Sequence, residues 1–441
     1  MNTSEIHGTH ILVVGYGREG KSVESWLKKH FPQLSITVTD EKENGPSYLQ
    51  NLSRFDTVIR SPGVSLYLPE LMSFEKSGGY ITSATNIFFS LVIGKTIGIT
   101  GTKGKSTTTS LIAHLLSSKY SDVRLVGNIG FPMLDALDTA TEETIFVIEL
   151  SSHQLADCRY SPNVAVMLGI VPEHLDYYPD LATYAQAKSN ITLHQKNEDV
   201  VVFNPEHTLV RALVHPSSAQ KITYKHFSDT DAHTFLRDGR IFIRKNENVQ
   251  PIMNIADVPL LGNIENVLAA ITVADLMDID PVSIDTTIRP FRSLPHRLEF
   301  VGEFRGIKFY NDSLATIPQA TIHALESLDG KVSTLIAGGY DRHLDFTELG
   351  TYLRAHPVST LILFPDTGER ILTSIGKLHA PNSIKWYAVQ TMEEAVKLAY
   401  EHTVPGTICL LSPASASYNL FKNYEDRGNQ FKAFVRDIGS K

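Results

Sequence analysis

The strongest constraint on the fold is a glycine-rich loop, GITGTKGKS at residues 98–106, that joins a buried strand to a helix. Its glycines expose backbone N–H groups to an anion. In loops of this kind a lysine such as Lys105 reaches phosphate oxygens, and a hydroxyl such as that of Ser106 binds Mg²⁺. The GxxxxGK[ST] pattern is not formally met, because Ile99 occupies the position of its first glycine. The working parts remain, so we predict a nucleotide-phosphate site in a parallel α/β sheet.

A second strand–loop–helix segment lies near the N-terminus. The loop GYGREG at residues 15–20 follows the strand His10–Val14, and Asp40 ends the next strand. Glycines let the backbone approach a diphosphate, and the acidic residue accepts a hydrogen bond from a ribose or a base. Taken alone, the motif predicts a nicotinamide or flavin enzyme. The same geometry serves any nucleotide diphosphate, so the residues leave the ligand open, while two phosphate loops in one chain indicate two nucleotides.

Strands and helical patterns alternate along three stretches of the chain, which predicts three α/β domains with mostly parallel sheets. Inside the middle stretch, Thr234–Arg244 predicts a hairpin, because Asp238-Gly239 suits a type I′ turn. We expect a final helix from about Asn419 to Val435. The predicted domains are residues 1–93, 94–297 and 298–441.

The composition narrows the class of protein. The 441 residues carry a formal net charge of −8, and 42% of them are hydrophobic. This balance supports sizeable cores and argues against a protein that coats nucleic acid or an anionic membrane. Apolar runs stay below about 18 residues, so we expect no spanning helix, and the polar N-terminus does not resemble a signal peptide. Two widely separated cysteines, Cys158 and Cys409, fit a reducing, cytoplasmic location.

Candidate metal ligands follow two predicted strands of the middle domain. Glu149 lies near the end of the strand Ile145–Leu150, and the segment EHLD at residues 173–176 follows the strand Val164–Ile170. The carboxyl ends of parallel strands meet at one edge of the sheet, where ligands bind. Glu149 is therefore a candidate ligand. Mg²⁺ prefers oxygen atoms, so the residues alone do not assign His174 to its coordination shell.

The middle-domain segments GTKGKSTTT, ELSSHQL, EHLDYYP and YAQAKSNI are similar to the ATP-dependent Mur ligase superfamily, which builds amide bonds in peptidoglycan precursors. The C-terminal segments LPHRLEF, FYNDSLAT, AGGYDRHLDF and LSPASASYNLFKNYEDRGNQF resemble the branch that adds glutamate to UDP-N-acetylmuramoyl-L-alanine. The resemblance runs in order along nearly the whole chain. It implies a Rossmann-like N-terminal domain, a central P-loop-type ATPase domain and a Rossmann-like C-terminal domain.

The resemblance also implies what the first loop binds. In similar enzymes the N-terminal domain holds the UDP part of the sugar substrate rather than NAD, and the asparagine of the segment GNIG lies near substrate and phosphates. The residues implied in UDP-substrate binding are Gly15, Gly17, Arg18, Glu19, Gly20, Asp40, Ser61, Pro62, Gly63 and Asn128.

For ATP and two Mg²⁺ ions, the resemblance implies catalytic roles for Lys105, His174 and Lys188. Lys188 matches a lysine that is carbamylated in the superfamily; a carbamate presents an anionic oxygen to Mg²⁺, which an ammonium does not. The implied metal ligands are Ser106, Glu149, His174 and Lys188. The implied ATP-binding residues are Gly101, Thr102, Lys103, Gly104, Lys105, Ser106, Thr107, Asn263, Arg297 and Asp312.

The glutamate site implied by the resemblance contains a guanidinium, which suits a substrate with two carboxylates. Two departures from the superfamily pattern stand out: Leu314 replaces a common lysine, and Leu260 and Gly262 replace a glycine and a histidine near the adenine. The segment NDSLAT is also similar to a branch that adds L-glutamate, so handedness stays open, with D-glutamate favoured. The implied glutamate-binding residues are Thr316, Arg342, Ser417 and Tyr424.

The predicted activity is a ligation through an acyl phosphate, with UDP-N-acetylmuramoyl-L-alanine, glutamate and ATP as partners. We expect a monomer that engages neither nucleic acid nor a membrane. An NAD-dependent oxidoreductase is an alternative that rests on the GYGREG loop alone, and a nucleotide-binding regulator without catalysis is another. Superfamily ligases that add diaminopimelate, lysine, alanine or a D-Ala-D-Ala dipeptide are weaker alternatives, because the tail FKNYEDRGNQF favours the glutamate branch.

Overall fold

The computed structural model describes residues 3–171, 177–225, 231–258, 264–291, 295–328, 330–342, 344–376 and 384–440. The chain divides into two compact units, Met1–Phe291 and Arg292–Lys441. The first unit contains a four-stranded and a nine-stranded sheet, and the second contains a six-stranded sheet. The α/β class with mostly parallel sheets is therefore confirmed, while the domain limits given above stay predictions.

The first sheet is built around a strand with four consecutive buried apolar residues, 11–14. Its elements are β1 (His10–Val14), α1 (Arg18–His30), β2 (Ser35–Thr39), α2 (Glu41–Asn44), β3 (Thr57–Arg60), α3 (Pro69–Lys76), β4 (Tyr80–Ser83) and α4 (Ala84–Leu91). The strands are all parallel, in the order β2-β1-β3-β4. Ile11 and Val13 pack into the core on one face of β1, and Leu12 and Val14 pack into the core on the other. A strand buried on both faces is typical of a sheet covered by helices on both sides.

The nine-stranded sheet is parallel over most of its width. Its elements are β5 (Lys95–Thr100), α5 (Lys105–Leu116), β6 (Val123–Gly127), β7 (Ile145–Glu149), α6 (Ser152–Leu155), β8 (Val164–Met167), α7 (Leu181–Leu193), β9 (Val200–Phe203), α8 (Thr208–Val214), β10 (Gln220–Lys225), β11 (Thr234–Arg237), β12 (Arg240–Lys245), β13 (Asn248–Asn254), α9 (Ile264–Leu276) and α10 (Pro281–Ile288). The strand order is β13-β12-β11-β10-β9-β8-β5-β7-β6, and the pairs β11–β12 and β12–β13 are antiparallel. β5 and β7 lie side by side, so the loops that follow them share one edge of the sheet.

One hydrophobic core joins the first two sheets. Val13 and Trp26 of the N-terminal part share a buried cluster with Phe146 of β7. An ion pair crosses the same boundary, because Nη2 of the fully buried Arg60 lies 2.9 Å from Oδ1 of Asp157. Shared apolar packing and a buried ion pair explain why both sheets belong to one unit.

The second unit holds a sheet with a single antiparallel edge. Its elements are β14 (Glu299–Phe304), β15 (Ile307–Asn311), α11 (Pro318–Ser327), β16 (Val332–Gly339), α12 (Thr347–Ala355), β17 (Thr360–Asp366), α13 (Thr367–Ile375), β18 (Lys385–Ala388), α14 (Met392–His402), β19 (Ile408–Leu411) and α15 (Tyr424–Gly439). The order is β14-β15-β19-β16-β17-β18, with β14 antiparallel to β15. Leu335 packs into the core on one face of β16 and Ile336 into the core on the other.

Most predicted elements are confirmed and a few are corrected. The hairpin forms β11 and β12, with Asp238 and Gly239 at φ values of 49° and 72° in its turn. The final helix begins at Tyr424 rather than near Asn419, because the Asn423 side chain accepts the N–H of Asp426 and caps it there. None of the helices in the described part of the chain has the length and apolar character needed to cross a membrane.

Candidate active site

The predicted phosphate loop lies between β5 and α5. Gly104 caps α5 at φ 84°, and a Cβ there would lie 2.2 Å from Oδ1 of Asn266, so both the backbone and the space require glycine. Gly104 has no side chain with which to cap α5, and the N–H groups of a helix's first turn favour an anion. Of the other loop residues predicted to bind ATP, Lys103 is exposed, Thr107 is half-buried and Ser106 is buried.

Two side chains of the loop are held by the protein itself. The Lys105 ammonium donates to the carbonyl oxygens of Gly101 (3.1 Å) and Thr102 (2.9 Å), which keeps its charge beside the loop. The Thr102 hydroxyl accepts the N–H of Val171 and pairs with the hydroxyl of Tyr184. Since that hydroxyl is used inside the protein, any contact from Thr102 to ATP would come through its backbone.

Glu149 ends β7, and its two carboxylate oxygens differ in their hydrogen bonds to the described part of the chain. Asn128 donates from Nδ2 to Oε1 at 2.7 Å, and from its backbone N to the Glu149 carbonyl at 3.0 Å. Oε2 is buried and has no hydrogen-bond partner among the described residues. Burying an ionised oxygen without a donor or a cation is unfavourable. This oxygen therefore fits a Mg²⁺ ligand, and the pairing of Glu149 with Ile99 puts it beside the start of the phosphate loop.

Lys188 projects from α7 to the same loop. It is 1% exposed, its Nζ donates to the Gly101 carbonyl at 2.9 Å, and Nζ lies 4.7 Å from the centre of the Tyr184 ring. The structure thus brings Lys188 and Lys105 to one carbonyl, that of Gly101. His174, predicted to act with them, lies outside the described residues.

The donor set fits magnesium better than a transition metal. Within the described ranges, no three His, Cys, Asp or Glu side chains converge on a possible metal site. Mg²⁺ keeps several waters and is bound by one or two carboxylates together with substrate phosphates. Ser106, Glu149 and phosphate oxygens of a bound nucleotide would satisfy that preference.

The GYGREG turn follows β1 and requires glycine at two positions. Gly15 has a φ of 86°, and a Cβ on Gly20 would lie 2.0 Å from the Gly15 carbonyl oxygen. The Ser61 hydroxyl, at the end of β3, donates to that carbonyl at 2.7 Å. Because β1 and β3 are parallel neighbours, the turn and the residues Ser61, Pro62 and Gly63 meet at one edge, as the predicted UDP site requires. Gly17, the N-cap of α1, and Gly63 leave open space where a Cβ would point.

The Asp40 carboxylate accepts a backbone hydrogen bond from the GYGREG turn. Its Oδ2 accepts the N–H of Tyr16 at 2.7 Å and its Oδ1 accepts the N–H of Lys42 at 2.9 Å. These backbone hydrogen bonds, that from Tyr16 foremost, lower the pKa of Asp40. The carboxylate predicted to contact the uridine thus holds the loop in shape.

Arg18 and Glu19, both predicted to contact the UDP substrate, also bind protein groups. Arg18 donates to the carbonyl oxygens of Gly127, Asn128 and Gly130 at 3.3, 2.9 and 3.2 Å. Glu19 accepts a hydrogen bond from the side chain of Gln154 through Oε1. Burial raises the pKa of Glu19.

In the second unit, Asp312 is a buried carboxyl group with both oxygens bonded. Oδ1 accepts the N–H of Leu298 at 3.1 Å, and Oδ2 accepts the Ser412 hydroxyl at 2.8 Å. Burial raises the pKa of Asp312 to about 7. The contact of Asp312 with ATP stays a prediction. Arg297, its predicted partner in ATP binding, is exposed, and Asn263 lies outside the described residues.

The residues predicted to bind glutamate occupy three loops and a helix start. Arg342 is exposed after β16, Ser417 is buried in the loop after β19, and Thr316 is half-buried before α11. Tyr424 is the first residue of α15, and its carbonyl accepts the Ser313 hydroxyl at 2.8 Å.

Arg427, which was not among the predicted site residues, connects two of these loops. It is fully buried in α15 and donates to the hydroxyl and carbonyl of Ser313 at 3.0 and 2.8 Å. It also donates to the carbonyls of Ser415 and Ala416 at 3.0 and 3.2 Å. Arg427 belongs to the segment NYEDRGNQF, which carries part of the resemblance. The spacing of the residues in that segment does not indicate that the arginine side chain is buried.

Comparisons with known proteins decide the family. The Mur ligase middle domain matches residues 99–274, and the Mur ligase, glutamate ligase domain matches residues 296–415. The UDP-N-acetylmuramoylalanine--D-glutamate ligase of Acetivibrio thermocellus is 37% identical over 445 residues, covering 98% of this chain and 94% of that protein. The protein of the same name from Clostridioides difficile is 34% identical over 459 residues, covering 98% and 100%. The chain belongs to the Mur ligase family.

Solved structures agree with this Mur ligase in fold. The UDP-N-acetylmuramate-alanine ligase MurC of Thermotoga maritima has a TM-score of 0.55 at 18% identity, covering 98% of this chain and 100% of that one. The MurF ligase of the same organism, solved with ADP, has a TM-score of 0.54 at 17% identity, covering 99% and 97%. As a Mur ligase, the protein is an ATP-dependent enzyme that forms amide bonds in peptidoglycan synthesis. The alternative of an NAD-dependent oxidoreductase is therefore wrong.

Proposed function

We propose that this Mur ligase joins glutamate, with D-glutamate preferred, to UDP-N-acetylmuramoyl-L-alanine in the cytoplasm, acting as a monomer. The preference is supported by relatives at 31–37% identity that carry the name UDP-N-acetylmuramoylalanine--D-glutamate ligase. The observation that carries the proposal is the buried Oε2 of Glu149, which has no hydrogen-bond partner among the described residues and lies near the start of α5. A cation-binding oxygen next to a phosphate-binding helix end is what phosphoryl transfer from ATP requires.

In the first step, an oxygen of the L-alanyl carboxylate attacks the γ-phosphorus of ATP. A carboxylate–phosphorus bond forms, the bond from the γ-phosphorus to the bridging oxygen breaks, and ADP leaves. Such transfers depend on positioning and on neutralising charge. Lys105 and the first N–H groups of α5 supply positive charge to the phosphate oxygens. Mg²⁺, when bound by Ser106 and Glu149, would neutralise part of the phosphate charge.

In the second step, the free amine of glutamate attacks the acyl carbon. The tetrahedral intermediate collapses, the carbon–oxygen bond to phosphate breaks, and the nitrogen loses a proton as the amide forms. We assign Arg342 to a substrate carboxylate, because a guanidinium binds a carboxylate bidentately. Thr316, Ser417 and Tyr424 complete this proposed site, with Arg297, Asp312 and Asn263 retained as proposed ATP contacts.

Lys188 is proposed to act as a carbamate, formed when its neutral amine attacks CO₂ and loses a proton. The proposal is supported by its burial and by its 2.9 Å contact with the phosphate loop at Gly101. The carbamate and His174 would hold a second Mg²⁺. In ¹³C-bicarbonate the full-length protein should show a carbamate resonance in its NMR spectrum that Lys188→Ala lacks. A spectrum without that resonance contradicts this assignment.

The substrate proposal is tested by the product formed. Full-length protein is incubated with ATP, Mg²⁺, UDP-N-acetylmuramoyl-L-alanine and either D- or L-glutamate, and the amide is measured by mass spectrometry. We expect rapid product with D-glutamate, little with L-glutamate, and almost none from Lys105→Ala. Preference for L-glutamate would keep the chemistry and change the branch. Amide formation from neither isomer would contradict the proposed pair of substrates.

A further inference from the structure

The first residue of α1 reaches across to the loop that carries Asn128. Arg18 donates from Nη2 to the carbonyls of Gly127 and Asn128, and from Nη1 to the carbonyl of Gly130. A planar guanidinium spans several acceptors at once, and hydrogen bonds from a charged donor are stronger than neutral ones. Arg18 therefore holds three carbonyl oxygens of one four-residue loop in a fixed arrangement.

That loop has little freedom to move independently of β7. Gly127 has a φ of 103°, and a Cβ on it would lie 2.4 Å from the Glu149 carbonyl oxygen. Asn128 binds Glu149 through both its backbone N–H and its side-chain amide. A displacement of the loop would therefore move the amide that orients Oε1 of Glu149, and with it the unpaired Oε2.

The residue after Arg18 reaches the other side of Glu149. Glu19 accepts from the Gln154 side chain. Gln154 in turn forms a capping box with Ser151, whose N–H and hydroxyl both bond to the Gln154 side chain. Ser151 lies two residues beyond Glu149. Arg18 and Glu19 are adjacent residues of the turn proposed to bind UDP. Arg18 bonds to the loop 127–130 and Glu19 bonds to Gln154, and both of these segments lie next to the proposed metal ligand.

We infer that Arg18 is a positioning residue that couples the UDP-sugar pocket to the metal ligand Glu149. The inference rests on the proposed function, because it requires UDP-sugar at the GYGREG turn and Mg²⁺ at Glu149. A substrate that fixes the turn fixes Arg18, the loop 127–130 and the carboxylate, so the metal binds more tightly. By linkage, the metal strengthens UDP-sugar binding by the same factor.

The coupling is measured by binding rather than turnover. Mn²⁺ replaces Mg²⁺, and EPR gives its Kd with a non-hydrolysable ATP analogue present, with and without saturating UDP-N-acetylmuramoyl-L-alanine. We expect the sugar to tighten Mn²⁺ binding by about fivefold or more in the unsubstituted protein. In Arg18→Met the ratio of the two Kd values should fall close to one. Arg18→Lys should give an intermediate ratio, because one ammonium does not span three carbonyls.

The matched control is Lys28→Met, which removes an exposed cation from the same helix, one paired with Glu24 rather than with the loop. It should keep the full ratio. Calorimetry of UDP-sugar binding separates the possible failures. The coupling alone would be overturned if the two Mn²⁺ Kd values were equal in the unsubstituted protein while calorimetry shows the UDP-sugar bound. It would also be overturned if Arg18→Met kept the same ratio of Kd values as the unsubstituted protein. Absence of UDP-sugar binding would overturn the proposed function and the coupling with it.

Discussion

The side-chain amide of Asn128 donates to Oε1 of Glu149 at 2.7 Å, while Oε2 of the same carboxylate is buried without a hydrogen-bond partner among the described residues. One oxygen is therefore oriented by the protein, and the other is left for a cation. A hydrogen-bond partner of this kind fixes the direction in which a carboxylate meets its metal.

Asn128→Ala should raise the Mg²⁺ concentration needed for half-maximal activity by about 10- to 100-fold, the usual effect of losing such a partner. The measurement is the initial rate across a Mg²⁺ titration at saturating substrates. Asn248→Ala, at an exposed position of the edge strand β13, is the control and should keep the original midpoint. An unchanged midpoint in Asn128→Ala would show that Asn128 does not orient the ligand.

Arg60 stabilises the junction between the first two sheets. Its guanidinium donates to the carbonyls of Val64 and His153 and pairs with Asp157. Arg60→Met leaves Asp157 buried without its cation, which costs roughly 3–5 kcal/mol. Urea unfolding should show this loss, and Arg60→Met combined with Asp157→Asn should recover part of it. Lys397→Ala, which removes an exposed ion pair, is the control; an equal loss there would contradict the assignment.

Asp312 makes stability depend on pH. Because burial raises its folded pKa to about 7, the folded protein binds more protons than the unfolded chain between about pH 4 and 7. The contribution of this group to stability is therefore present at low pH and is lost as pH rises through that window.

Asp312→Asn should thus gain thermal stability relative to the unsubstituted protein between about pH 5 and pH 8. The readout is the difference between the two unfolding midpoints at each pH. Asp345 offers a matched control, since hydrogen bonds from the Thr347 hydroxyl and N–H lower its pKa. The difference for Asp345→Asn should stay flat over the same range. A flat difference for Asp312→Asn would contradict the account.

Arg427 is expected to hold the loops proposed to bind glutamate. Arg427→Met leaves the carbonyls of Ser313, Ser415 and Ala416 without their buried donor, so unfolding free energy should fall by about 3 kcal/mol. Arg427→Lys should restore part of that stability and still raise the KM for glutamate, because a single ammonium does not order both loops. Arg436→Met, at an exposed position of the same helix, should change neither quantity. An unchanged KM for glutamate in Arg427→Lys would show that Arg427 stabilises the fold but does not order the glutamate site.

The sequence predicted local architecture well, because hydrophobic runs and glycine turns act over short distances. The strand β1, His10–Val14, was predicted to the residue, and the hairpin turn at Asp238-Gly239 follows from its residue types. Strands β6, β10, β13 and β14 were missed. They lie beside or beyond predicted strands, and partly exposed positions interrupt their apolar patterns.

The site was predicted at the level of which loops meet, and less well at the level of what each side chain binds. Lys188 would be an ordinary helical lysine by spacing, yet it reaches the Gly101 carbonyl. Arg18 was predicted to bind the UDP substrate, and in this structure it donates to backbone carbonyls 109 to 112 residues away. A charged side chain serves a ligand or a buried carbonyl equally well, and only tertiary packing decides which one lies within reach.

The most direct test of the account is the release of ADP by the full-length protein when substrates are omitted one at a time. We expect rapid release of ADP with ATP, Mg²⁺, UDP-N-acetylmuramoyl-L-alanine and D-glutamate together. We expect near-background release when either the UDP-sugar or glutamate is left out, and from Lys105→Ala in the complete mixture. Release that is independent of the UDP-sugar, or no release from the complete mixture, would contradict the account.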